Sequence, residues 1–71
     1  DHERARRAVQ AGEVLPLQTL LRQLGPAYRG QVLEVELEVE HGRWVYEIRL
    51  LQPDGRLLKL EVDARTGAVL K

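Results

Sequence analysis

The chain contains no cysteine, so neither a disulfide nor a thiolate metal site supplements its core. Serine is absent too, which leaves Thr19 and Thr66 as the only aliphatic hydroxyls. Thr19 falls inside a predicted helix and Thr66 in a predicted turn. Neither has a histidine expected beside it, so nucleophilic chemistry of the triad type is excluded. The two histidines are His2, near the start, and His41, at a hairpin tip. A metal site there would need Glu40 and a further ligand, and nothing in the pattern supplies one. Net charge is absent, because eleven basic and eleven acidic residues cancel, which argues against the basic excess of a nucleic-acid binder. Long apolar runs are absent as well, and no transmembrane helix is expected. With an initial Asp1 in place of methionine, the chain reads as a processed or truncated form. Removal of a signal peptide and choice of boundaries both account for that.

At 71 residues and 44% hydrophobic, the chain is expected to be one domain spanning 1–71. Such a domain buries only roughly 60% of its unfolded surface. The strongest pattern is an unbroken alternation from Leu33 to Glu40, with Leu33, Val35, Leu37 and Val39 set against Glu34, Glu36, Glu38 and Glu40. It resumes beyond His41-Gly42 with Trp44, Tyr46, Ile48 and Leu50. A two-residue turn at His41-Gly42 predicts the pairs Val39 with Trp44, Leu37 with Tyr46, Val35 with Ile48 and Leu33 with Leu50. Every apolar side chain then shares one face, and a slip of one residue would put all of them on the other. Pro53-Asp54-Gly55 predicts a second turn. If it pairs Gln52 with Arg56, Leu50 faces Leu58, Ile48 faces Leu60 and Tyr46 faces Val62. A third turn, Asp63 to Gly67, precedes a possible short strand from Ala68 to Leu70.

Ahead of the strands, Asp1 to Ala11 reads as a short helix with Ala5, Ala8 and Val9 at helical spacing and Gly12 as its stop. Pro16 suits the first position of a second helix. There Leu17, Leu20, Leu21 and Leu24 form a core-facing stripe ended by Gly25-Pro26. The fold class that follows is α+β, with two N-terminal helices packed on one face of a three- to four-stranded antiparallel meander in two layers. Leu33, Val35, Leu37, Ile48, Leu50, Leu58 and Leu60 are the expected floor under the leucine helix. Arg4, Arg6 and Arg7 read as a solvated basic helix end, with a docking surface as the alternative.

The opposite sheet face is polar, and its candidate contact residues are Glu36, Glu47, Arg49, Leu51, Leu57, Lys59 and Glu61. Glu36, Glu47 and Glu61 fall in a row across three strands, where like charges destabilise by roughly 0.2–1 kcal/mol per pair. Arg49 and Lys59, diagonally adjacent, offset this on a simply solvated face; a basic partner or a weakly held divalent cation are the alternatives. Leu51 and Leu57 neighbour each other on this outer side, with Val45 a third residue that could face outward, and a pair of exposed leucines suits a contact site. His41, Gly42, Asp54, Gly55, Asp63, Thr66 and Gly67 are assigned to turns. Asp63 is expected to cap its turn and Gly67 to take a positive φ.

The residues G-Q-V-L-E-V-E-L-E at Gly30 to Glu38, W-V-Y-E-I at Trp44 to Ile48, the Asp54-Gly55 turn and L-E-V-D-A-R-T-G-A-V-L at Leu60 to Leu70 resemble the PepSY domain. The helix with Leu15-Pro16-Leu17 extends the resemblance over nearly the whole chain. PepSY domains occur in propeptides of thermolysin-like peptidases and in many exported or membrane proteins of bacteria. The resemblance implies a non-enzymatic interaction module without cofactor or metal, periplasmic or secreted, with no nucleic-acid partner and no direct membrane insertion. Its partner is then a peptidase that it inhibits or modulates, or an envelope sensor protein. The alternative is a self-associating structural or sensory domain that acts as a homodimer. The family brings no catalytic residues to carry over.

Overall fold

The computed structural model describes residues 2–28 and 30–71, with the side chains of residues 2, 26 and 27 left aside. Its elements are helix α1 (His2–Gln10), helix α2 (Leu17–Leu24), a 3-10 turn (Gly25–Tyr28), and strands β1 (Gln31–Glu40), β2 (Arg43–Leu51) and β3 (Leu57–Asp63). The three strands form one antiparallel sheet in the order β1-β2-β3. The class is α+β with the helices N-terminal.

The sheet follows from alternation and turn chemistry. Val39 pairs with Trp44, Leu37 with Tyr46 and Val35 with Ile48. The turn between them sets His41 at φ 51° and Gly42 at φ 78°, the left-handed pair that a twisted two-residue hairpin requires. At the second turn the Gln52 N–H donates to the Arg56 carbonyl at 2.8 Å. Asp54 accepts from the Arg56 N–H at 3.0 Å and from its Nε at 2.7 Å. At the third, the Arg65 and Thr66 N–H groups donate to Asp63 Oδ1 at 2.8 and 3.2 Å, and Gly67 sits at φ 83°.

The expected pair of Leu33 with Leu50 does not form. The register shifts between Val32 and Glu34, so that Val32 stands opposite Leu50 and Leu33 is the extra residue of a bulge. Leu33 therefore leaves the expected core floor and is 50% exposed. Val32 is 36% exposed as well, because the extra residue breaks the period of two that runs from Glu34 to Glu40 and neither of the two adjacent apolar residues joins the core.

Leu20, fully buried, joins Ala8, Val14, Tyr46, Ile48, Leu50, Leu60, Val62 and Ala64 in the core, with Leu17, Leu21, Leu24, Val35, Leu37, Trp44 and Leu58 packed around it. Two members, Val14 and Ala64, lie outside any periodic segment. Their burial follows from a clamp between the interhelix connector and the third turn. The Leu15 N–H donates to the Ala64 carbonyl at 2.7 Å, and the Ala64 N–H donates to the Trp44 carbonyl at 3.0 Å. The Tyr46 hydroxyl donates to the Leu15 carbonyl at 2.8 Å, and burial pushes its pKa up. Val39, expected on the buried face, is 44% exposed. Trp44 is half-buried, and the Arg4 guanidinium carbon lies 5.7 Å from its ring centroid. Arg4 is thus a stacking residue and not only a solvated helix end, while Arg6 and Arg7 pair with Glu3 at 2.8 and 3.5 Å.

Instead of a full fourth strand, the last residues make one bridge, Val62 with Val69. The Asp63 N–H donates to the Ala68 carbonyl at 2.8 Å and the Leu70 N–H to the Glu61 carbonyl at 2.7 Å. These bonds close half of the β3 edge.

Candidate functional site

The outer sheet face is the candidate interaction surface. Because side chains alternate along each strand, Glu34, Glu36, Glu38 and Glu40 of β1 stand beside Arg43, Val45, Glu47, Arg49 and Leu51 of β2, followed by Leu57, Lys59, Glu61 and Asp63 of β3. The register places Glu36 opposite Glu47 and Glu47 opposite Glu61, so the acidic row exists. Its charge is offset on one side only. Glu47 lies 3.5 Å from Lys59 and 4.0 Å from Arg49, and Arg49 reaches Glu34 at 3.5 Å. Among the described residues no cation comes within ion-pair distance of Glu36, Glu38, Glu40 or Glu61.

The uncompensated side acts on one of its own carboxyl groups. Glu38 has a pKa raised above the ordinary 4.5, first through a hydrogen bond with Glu36, then through desolvation and the charges of Glu47, Glu36 and Glu40. One carboxylate oxygen from each of Glu38, Glu40 and Glu47 falls within 4.8 Å of the others. This trio, and not the row expected from sequence, is the tightest gathering of acidic groups among the described residues. Because the folded-state pKa of Glu38 is raised, folding works against its carboxylate. The stabilising contribution of its protonated form is complete below the unfolded value and is lost as pH rises through the folded one. Glu38→Gln, which mimics that neutral form, is therefore expected to raise the denaturation midpoint at neutral pH. Well below 4.5 it should have no effect, and matched urea titrations at the two pH values check this. Asp54 shifts the other way, held below the usual carboxylate range by the Arg56 backbone and side chain.

Depressions open at both ends of the face among the described residues. One, of about 330 Å³, lies near the first turn and is lined by Glu40, His41, Arg43, Val45, Glu61, Leu70 and Lys71. Val45 does point outward, yet it is only 2% exposed, because it lies on the depression floor among long side chains and the returning C-terminal residue Leu70. The other, of about 360 Å³, lies at the far end and is lined by Leu33, Glu34, Arg49, Leu57, Leu58 and Lys59. Leu33, displaced by the bulge, and Leu57, which is 73% exposed, line it from β1 and β3. Leu51 is half-buried beside Leu57. The sequence reading missed Leu33 and Leu70 as outer-face residues. The Val32-Leu33 pair was the available signal for the first, whereas Leu70 gave none, because its place depends on a long-range strand return.

A family model described as "Peptidase propeptide and YPEB domain" (PepSY) matches residues 3–71. The chain belongs to the PepSY family. No curated protein and no solved structure matches it. The match spans both helices and all three strands, so the outer face described above belongs to a PepSY domain. Among the described residues no helix is long and apolar enough to cross a membrane.

Proposed function

We propose that this PepSY domain is a non-enzymatic regulatory module of the bacterial cell envelope, periplasmic or secreted, that binds and restrains a peptidase through its sheet. The family match over residues 3–71 carries the reading, since the family is described by its occurrence in peptidase propeptides. The outer face supports it. An open sheet surface with charges of both signs around two leucines, Leu33 and Leu57, has the apolar centre and polar rim of a protein contact. Glu36, Glu47, Arg49, Leu51, Leu57, Lys59 and Glu61 are the contact residues of this reading; an envelope sensor protein is the other partner it admits. The test is titration of the purified chain into a thermolysin-like metallopeptidase turning over a peptide substrate. A dose-dependent fall in rate, weakened by Leu57→Glu, is expected. An unchanged rate under a large excess of folded chain would remove peptidase restraint from the reading.

A second reading, homodimerisation, is favoured by the leucine-lined depression. A two-fold contact there sets Glu34 or Glu36 of each copy near Arg49 or Lys59 of the other, as a self-complementary interface requires. Light scattering during gel filtration should then give twice the 8.1 kDa of the chain, returned to one chain mass by Leu57→Glu. A single-chain mass at high micromolar concentration would sink the dimer.

A further inference from the structure

The two sheet edges are not equivalent. On the β3 side the C-terminal residues bond to Glu61 and Asp63. On the β1 side, among the described residues, no backbone group from outside the sheet bonds to any residue of the strand. The direction of the open groups can be read from β2. The Trp44 carbonyl accepts from Ala64 N–H on the β3 side, so in the antiparallel alternation Trp44 and Val39 form a pair whose N–H and C=O groups point away from each other. Val39, and by period two Leu37 and Val35, therefore turn their N–H and C=O groups to the open edge, while Glu36 and Glu38 spend theirs on β2.

Side chains add a pattern to this row. The helices cover β2 and β3 more fully than β1. Ile48 and Val62 are completely buried, Val35 and Leu37 only partly so, and Val39 is 44% exposed. On the other face of the same strand stand Glu34, Glu36, Glu38 and Glu40, of which, among the described residues, only Glu34 is ion-paired. A strand added to β1 therefore meets apolar surface on the helix side and carboxylates on the outer side. Its residues should alternate apolar and basic.

We propose that the open edge of β1 takes an extended segment of a partner protein, apolar residues alternating with Lys or Arg, as a fourth antiparallel or parallel strand of the sheet. This rests on the regulatory reading above and names the edge and partner chemistry. Main-chain bonds to Val35, Leu37 and Val39 hold the segment, and the glutamates select its charge. A second copy of this chain is the wrong occupant. Pairing β1 with β1 sets glutamates against glutamates, which is repulsive on an antiparallel ladder. The glutamates thus guard the edge against self-pairing and leave it open to a basic strand.

The test uses the full chain, labelled for NMR, and two capped peptides, Lys-Val-Lys-Thr-Lys-Val-Lys and its glutamate counterpart. With the lysine peptide, amide exchange should slow at Val35, Leu37 and Val39 and stay unchanged at Glu36 and Glu38. The glutamate peptide should produce no effect. The double substitution Glu36→Lys, Glu38→Lys should weaken the lysine peptide roughly tenfold and let the glutamate peptide bind. Val39→Pro removes an edge-facing N–H without touching the β2 ladder and should also abolish binding; if it fails to fold, the exchange pattern and the charge reversal decide alone. Absence of binding, equal binding of both peptides, or binding that leaves the three edge amides unprotected each overturns the proposal. Peptidase restraint without edge protection would leave the regulatory reading standing and remove this one. Edge protection without peptidase restraint would do the reverse.

Discussion

Leu20→Ala is expected to destabilise the chain by about 2–5 kcal/mol, the range for truncating a fully buried leucine whose surroundings cannot collapse. Leu20 has no exposed surface. It lies in the middle of the α2 stripe, against the core formed with Ile48, Leu50, Leu60 and Val62. At about 0.05–0.15 kcal/mol per residue, a domain of this length has little stability to lose, so the variant should forfeit a large share of it. Urea unfolding followed by Trp44 fluorescence measures it, with Leu57→Ala as the control. Leu57 is 73% exposed, so its truncation should stay within about 0.5 kcal/mol. A Leu20→Ala shift no larger than the control's would show that α2 does not hold the sheet.

Gly30→Ala should also destabilise strongly, by about 2–4 kcal/mol, through backbone strain added to overpacking. Gly30 has φ +147°, and a Cβ there would collide with the carbonyl oxygen of Leu51 while approaching Leu51 C at 3.0 Å and Gln52 Cα at 3.2 Å. All three atoms are main chain, so the collision cannot be relieved by a rotamer change. The chain enters β1 by pressing against the end of β2, where Gln31 pairs with Leu51. Gly55 provides the comparison. It too has a positive φ, +88°, but a Cβ there meets nothing within 4 Å, so Gly55→Ala carries only the conformational term of about 1 kcal/mol. Equal midpoints for the two variants would refute the close approach at Gly30.

The hairpin and the leucine helix were readable because each rests on local rules. Alternation fixes which residues share a face, a two-residue turn fixes the offset, and the spacing of Leu17, Leu20, Leu21 and Leu24 fixes the buried side of α2. The residues expected on the outer face are there, apart from the added Leu33 and the unexpected burial of Val45. Nothing local indicated Arg4 over Trp44, because they are forty positions apart and meet only when α1 docks. The clamp of Leu15 onto Ala64 and Tyr46 escaped for the same reason.

By itself the sequence determined the strand pairing from Val35 to Glu40, the register of β2 with β3, the turn chemistry at His41-Gly42, Asp54-Gly55 and Asp63 to Gly67, and the apolar stripe of α2. All depend on the chain's own period and the φ values its residues tolerate. Only the tertiary structure decided that Leu33 bulges from the ladder while Val32 and Leu33 both stay exposed, which edge the C-terminal residues close, and how unevenly the helices cover the sheet. The physical reason for the last is that docking of the helices is long-range. Where the helices settle is set by contacts between residues far apart in the chain, such as Leu15 with Ala64 and Tyr46 and Arg4 with Trp44, and the fully buried strand residues lie on β2 and β3. The inner side of β1 is left half covered, and that unevenness gives its open edge one apolar and one acidic side.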